Sequence, residues 1–302
     1  MLSRTPLRLL CRRALSARAE GILAINIAAV IFGTAALYGK LALSPFWIVA
    51  MRAGFGALAL AGWEVYRSEL KVPPGLPWGT LVLSSFFLAV HWLTFFISVQ
   101  QSGVAVATLT FATFPLVTVV IEAVGERRLL TRTELLVGLV IVLAVALLIE
   151  PRDGTGTVIG AGAGLVSSVA YALFWRVGRR LEPGLSPAMM SCLQNAGVLV
   201  LMAPTLFFAQ PSPGQVMDWV ALVALGVFNT AVMLLLYLYA LKRISPATCS
   251  GFIALEPVYA IVFAALLFGE PITPWIIVSI VLIIGASMTL LKIEQQPPPP
   301  GM

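Results

Sequence analysis

Few side chains in this sequence can do chemistry, and most of those sit in apolar surroundings. His91 is the single histidine of 302 residues, and it is accompanied by 13 acidic residues that are scattered rather than clustered. One imidazole cannot build a metal site, which needs three or four ligands at set spacings. The chain has no HExxH, and no GxSxG surrounds Ser167, Ser191 or Ser250, so a zinc protease or a nucleophile elbow has no residues to use. No segment resembles a nucleotide-binding loop, and no cofactor is expected. What remains is a small set of polar groups inside apolar runs: Glu256 beside Pro257, Asn229, Asn26, Arg52, His91 and Glu122. In hydrocarbon each ionisable group costs a few kcal/mol, so it must face the protein interior or water. The chemistry open to such groups is to bind a solute or to carry a proton.

The elements that hold them cross a membrane. Hydrophobic residues make up 60% of the chain and charged ones 11%, against roughly 25% charged in a soluble domain; mean hydropathy is +0.99. Apolar runs bounded by charge, Pro or Gly predict ten helical spans, at about 21–39, 45–66, 77–98, 104–124, 131–149, 158–178, 187–208, 216–240, 247–268 and 273–291. The fold class is an all-α membrane protein. Residues 1–20 form a basic N-terminal segment, 21–150 a first five-helix unit, 151–291 a second, and 292–302 a tail with four prolines from Pro297 to Pro300. Cys11, Cys192 and Cys249 are far apart and read as packing residues, with no disulfide framework.

Basic residues set the orientation, because Lys and Arg flanking a span stay on the cytoplasmic side. With both ends inside, all but three of the 19 basic residues fall in cytoplasmic segments. The opposite face holds only Lys40 and Arg152, and Arg52 lies within the second span. One missed span would destroy this asymmetry. The net charge of +6 is thus a topological signal and not a basic face for nucleic acid. The arginines at 4, 8, 12, 13 and 18 serve that anchoring; the same composition also fits an organelle transit peptide.

An offset of 142 residues brings Pro115 onto Pro257, Thr131 onto Thr273 and Pro45 onto Pro187. The segment from Ala105 to Gly125-Glu126 matches that from Ala247 to Gly269-Glu270. Five spans per half is an odd number, so the second half enters the membrane from the opposite side as an inverted repeat. These paired halves, the prolines of spans four and nine, the Gly-Glu exits, and the runs Tyr239-Ala240-Leu241-Lys242-Arg243 and Leu255-Glu256-Pro257-Val258 resemble the drug/metabolite transporter superfamily. Within it they resemble the EamA-type ten-helix transporters, over residues 21–291. The resemblance implies a bundle with a central cavity that exports or exchanges small metabolites across a bacterial inner membrane.

Two stripes mark the expected cavity wall. Thr108, Phe111, Pro115, Thr118 and Glu122 share one face of span four, and Thr248, Phe252, Glu256, Tyr259 and Phe263 share one face of span nine. Span six adds Ser168, Tyr171 and Trp175, and span three His91 or Trp92 with Phe95. Polar groups mixed with rings suit an amphipathic solute such as an amino acid. The expected contacts are Asn26, His91, Trp92, Phe95, Phe111, Tyr171, Trp175, Asn229, Glu256 and Tyr259, with Glu256 and then His91 as proton carriers. Pro115 and Pro257 are expected to kink their helices and free a carbonyl. Depth argues against pairing Arg52 with Glu122, and Arg52 is expected to tie span two to exposed carbonyls. Gly33, Gly54, Gly56, Gly162 and Gly164 read as close-packing positions, and Gly154 and Gly156 as turn residues. The expected partners are a small-molecule solute, the lipid bilayer and protons, with no nucleic acid. A secondary carrier is the leading reading; an intramembrane enzyme or a channel is the alternative.

Overall fold

A computed structural model describes residues 16–67, 69, 72, 74–148, 155–181 and 185–294. Arg4, Arg8, Arg12, Arg13, Cys11, Arg152, Gly154 and the tail prolines lie outside the described residues. Every regular element described is helical. Among the described residues, seven continuous helices are long and apolar enough to cross a membrane, with shorter apolar helices at Phe114–Gly125 and Pro274–Leu290.

The count reaches ten because the 34-residue helix Trp78–Phe111 is not one rod. Gly103 inside it has φ 83° and ψ 173°, a left-handed backbone that a side chain would oppose. Phe95 and Phe111 lie eight residues either side of it, yet their rings are 5.8 Å apart. A straight helix would separate them by about 24 Å. The chain therefore reverses at Gly103. The ten rods are α1 (Ala17–Lys40), α2 (Pro45–Tyr66), α3 (78–102), α4 (104–125), α5 (Arg132–Leu147), α6 (Thr155–Leu181), α7 (Pro187–Phe207), α8 (Val216–Leu241), α9 (246–268) and α10 (Pro274–Glu294).

Local chemistry repeats between the halves. Thr131 Oγ1 accepts the Glu134 N–H at 3.2 Å, and Thr273 Oγ1 accepts the Ile276 N–H at 3.3 Å, so the same hydroxyl caps α5 and α10. Pro45 and Pro187 each open a helix behind a serine. The helix contacts also pair up under exchange of the halves. α1 packs on α8 and α9 as α6 packs on α3 and α4, α2 packs on α8 as α7 packs on α3, and α2–α7 and α5–α10 are self-paired. That is the pattern a twofold axis produces. With five rods per half the axis lies in the membrane plane, giving two inverted five-helix repeats.

The prolines differ from expectation. They do not kink a continuous helix; each begins a second one. α4 breaks at Ala112–Thr113 and restarts with Pro115 in its first turn, and α9 breaks at Ala254–Leu255 and restarts with Pro257 in its first turn. There the missing N–H is no loss. The joints match bond for bond. Thr113 N donates to Thr110 O and Leu255 N to Phe252 O, then Leu116 N to Thr113 O and Val258 N to Leu255 O. Both halves thus carry a helix broken in mid-span.

Of the expected close-packing glycines, Gly33, Gly56 and Gly164 have no room for a Cβ, and Gly54 has an ordinary contact with Leu199. Gly162 has nothing within 4 Å and does not serve packing. Gly156 lies in the first turn of α6 and not in a turn between elements.

Candidate functional site

Two polar centres occupy the middle of the bundle. The first is Arg52 on α2, only 4% exposed. Its Nε donates to Thr230 Oγ1 on α8 at 3.2 Å, and its guanidinium carbon lies 4.1 Å from the ring centroid of Trp92 on α3. Glu256 is 7% exposed at the break in α9. The Arg52 guanidinium and the Glu256 carboxyl do not close an ion pair on each other. This corrects the expectation for Arg52, whose partners are a hydroxyl and an indole face and not backbone carbonyls.

The neighbouring side chains hold this centre in place. Asn229 sits in a π-helical turn, Val227–Val232, where α8 bulges. Its amide donates to the Ile31 carbonyl and, at 2.8 Å, to Thr34 Oγ1, pinning α8 to α1. Gly33 lets the same stretch of α1 lie against α9, where a Cβ would come within 2.7 Å of Tyr259 Cβ and 3.1 Å of the Glu256 carbonyl. Gly56 and Gly226 do this for α2 against α8: their added Cβ atoms would meet Thr230 Cγ2 at 2.9 Å and the Arg52 carbonyl at 2.9 Å.

The second centre is a continuous run of rings. His91 on α3 lies 4.8 Å from Phe111 on α4 and 4.7 Å from Tyr171 on α6. Phe95 and Phe114 join through Phe111, and Phe174 and Trp175 through Tyr171. His91 Nδ1 is 2.8 Å from Ser167 Oγ, which donates to the His91 carbonyl at 3.0 Å. With its one hydrogen so used, that oxygen accepts from Nδ1–H and leaves Nε2 as the acceptor. Thr113 Oγ1 donates to Ser168 Oγ at 3.0 Å, fastening the α4 break to α6.

The structure brings together His91, Trp92, Phe95, Phe111, Tyr171, Asn229 and Glu256. Both His91 and Trp92 face inward, one toward α6 and the other toward Arg52. Tyr259 is half-buried on the α1–α9 seam beside them. Two expected contacts stand apart. Trp175 is 46% exposed at the end of the ring run, and Asn26 is half-buried with its amide bonded to its own helix at Ile22 O, 2.8 Å away. Arg52, Thr230 and Ser167 belong to the centres although they were not expected there. Glu64, 1% exposed, was not anticipated; it accepts from Ser186 Oγ at 3.0 Å beside the start of α7. Its signal was present, a carboxylate within an apolar run. Arg179 holds Glu122 at 2.6 Å, so Glu122 has its own partner away from Arg52.

The model of the EamA-like transporter family matches residues 19–150 and again 158–292. A protein of Bacillus subtilis (strain 168) described as the uncharacterized transporter YxxF is 23% identical over 282 residues, 91% of each chain. An uncharacterized transporter of Clostridium kluyveri is 25% identical over 291 residues, 89% of this chain and 92% of the relative. A solved crystal structure superposes with a TM-score of 0.63 at 18% identity, covering 93% of this chain and all of the other.

Proposed function

The chain belongs to the EamA-like transporter family, and on that premise we propose that it is a secondary carrier of small amphipathic metabolites of the amino-acid class. It works by alternating access as an exporter or exchanger in a bacterial inner membrane, with both termini cytoplasmic. The observation that carries the substrate class is a buried guanidinium and a buried carboxyl, Arg52 and Glu256, contributed by different halves and making no ion pair with each other. Arg52 spends one N–H on Thr230 and rests on the Trp92 ring, which leaves most of its donors for an anionic group. A zwitterion offers each group a partner: its carboxylate to the guanidinium, its ammonium to Glu256. The rings of Trp92, Tyr171 and Phe111 supply apolar wall for a side chain. Glu256 is also the proton carrier in this reading. A carboxyl at the broken middle of α9 that opens to each side in turn can load and release a proton, with His91 as the second candidate.

The two halves, residues 21–150 and 151–291, are the moving bodies. Each has its own broken helix beside the site, and two inverted halves can swap packings of similar energy. An enzyme or an open channel needs no such pairing. Uptake and efflux of an amino-acid panel in proteoliposomes, with and without an imposed pH gradient, tests the reading. Movement of zwitterions is the expected result, and movement of none of them would refute it.

A further inference from the structure

Two ion pairs sit at opposite ends of the bundle on helix pairs that exchange under the twofold axis. At one end Lys40, the last residue of α1, pairs with Glu270 just beyond α9. Glu270 also accepts the Val104 N–H at 3.0 Å, which seizes the α3–α4 reversal. A Cβ on Gly103 would come within 3.2 Å of that carboxylate. At the other end Arg179 of α6 donates to Glu122 of α4 at 2.6 Å, and Arg176 donates to the Ile121 carbonyl at 3.1 Å. Gly125 leaves the space that the Arg176 guanidinium fills. The contacts α1–α9 and α6–α4 are one contact seen twice. Each ion pair thus ties one half of the chain to the other at one end only.

Resting on the carrier reading, we infer that Lys40–Glu270 and Arg179–Glu122 are the latches of the two gates, one broken each time the pathway opens at its end. The two are unequal. The residue 142 positions after Val104 is Pro246, which has no N–H to give, so the second latch lacks the backbone clamp. Glu126, in the Gly-Glu exit that matches Gly269-Glu270, turns to Arg128 at 3.0 Å instead of to α6. A cleft of about 490 Å³ remains at that end, lined by Glu122, Glu126, Arg176, Arg179 and Arg180. The resting protein therefore favours opening at the Glu122 end.

Electron–electron distance measurements in nanodiscs test this on the full chain with its cysteines replaced. One spin-label pair at Leu41 and Ile272 spans the Glu270 end, and a second at Val124 and Arg180 spans the Glu122 end. Glu270→Gln and Lys40→Gln are expected to shift the first pair toward long distances and the second toward short ones, each by about fivefold or more in population ratio. Glu122→Gln does the reverse, and the swap Lys40→Glu with Glu270→Lys moves the distributions back toward wild type without reaching them, since a lysine at 270 cannot accept the Val104 N–H. Two populations at each end that none of these variants moves would overturn the latches and leave the carrier reading standing. Both ends lengthening together would show that the pairs only hold the bundle shut, and would also overturn the latches. A single distance at each end in every variant would refute alternation itself.

Discussion

The guanidinium carbon of Arg52 lies over the ring of Trp92, 4.1 Å from its centroid, while its Nε reaches across to Thr230 in the other half of the chain. A buried cation is thereby held by an aromatic face and one hydroxyl, with most of its five N–H donors left for another acceptor. On the carrier reading, those free donors are what Arg52 offers to the carboxylate of a solute.

Arg52→Lys keeps the charge and loses the planar fork. Transport of a zwitterion is expected to show a KM raised about tenfold or more, since a bidentate site does not tolerate the exchange. Trp92→Leu removes the face under the cation, worth about 0.5–2 kcal/mol, or roughly 2–30-fold in affinity. Initial rates in proteoliposomes check both, and an unchanged KM in both variants would remove Arg52 from the site.

Glu256→Gln is expected to raise the KM for a zwitterion, whose ammonium loses its carboxylate partner, and to abolish the response of the remaining exchange to an imposed pH gradient. If the variant still accumulates solute on the gradient at the wild-type level, the carboxyl is a structural hydrogen-bonding group and His91→Gln is tested next.

Gly164→Ala places a methyl against Thr110 and within 3.1 Å of Ser98 Oγ, at the seam of α3, α4 and α6. Overpacking of this kind costs about 1–3 kcal/mol, visible as a lower Tm in detergent. Gly162→Ala, two residues earlier and with nothing within 4 Å, is expected to be neutral or stabilising by up to about 1 kcal/mol. Equal Tm changes would contradict the assigned packing.

Thr131→Ala and Thr273→Ala remove equivalent caps from α5 and α10, each costing about 1 kcal/mol. The Thr131 change should be the smaller, because the backbone N–H at 131 still donates to Glu134, which binds Arg128 through both oxygens, and this half of the cap outlives the hydroxyl. Thermal melts of the two single variants rank them.

The fold was legible because a membrane imposes long apolar runs and because the halves repeat. Ten spans, their approximate bounds and the matched prolines could be read from periodicity and offset, while the ends of α3, α6 and α10 run a few residues past the apolar runs. The broken helices were not, since Pro115 and Pro257 fit a kink and a restart equally well until the bonds at Thr113 and Leu255 are seen. Glu256, Asn229 and His91 stood out as polar groups in apolar runs. Arg52 stood out as well, but its depth was judged from one helix while its partners Thr230 and Trp92 lie on two others. Ser167 and Thr230 carry no signal of their own; small hydroxyls are common in membrane helices. Asn26 and Trp175 show the converse, because position along a helix does not reveal whether a side chain bonds its own backbone or faces outward.

Counterflow in proteoliposomes tests the central claim most directly. Vesicles loaded with an unlabelled amino acid are given trace label outside, in parallel with the matching amine that lacks the carboxylate and the matching acid that lacks the ammonium. The account predicts that label accumulates only for the zwitterion, and that Arg52→Gln abolishes this accumulation. Equal accumulation of the amine or the acid, or full activity in Arg52→Gln, would contradict it.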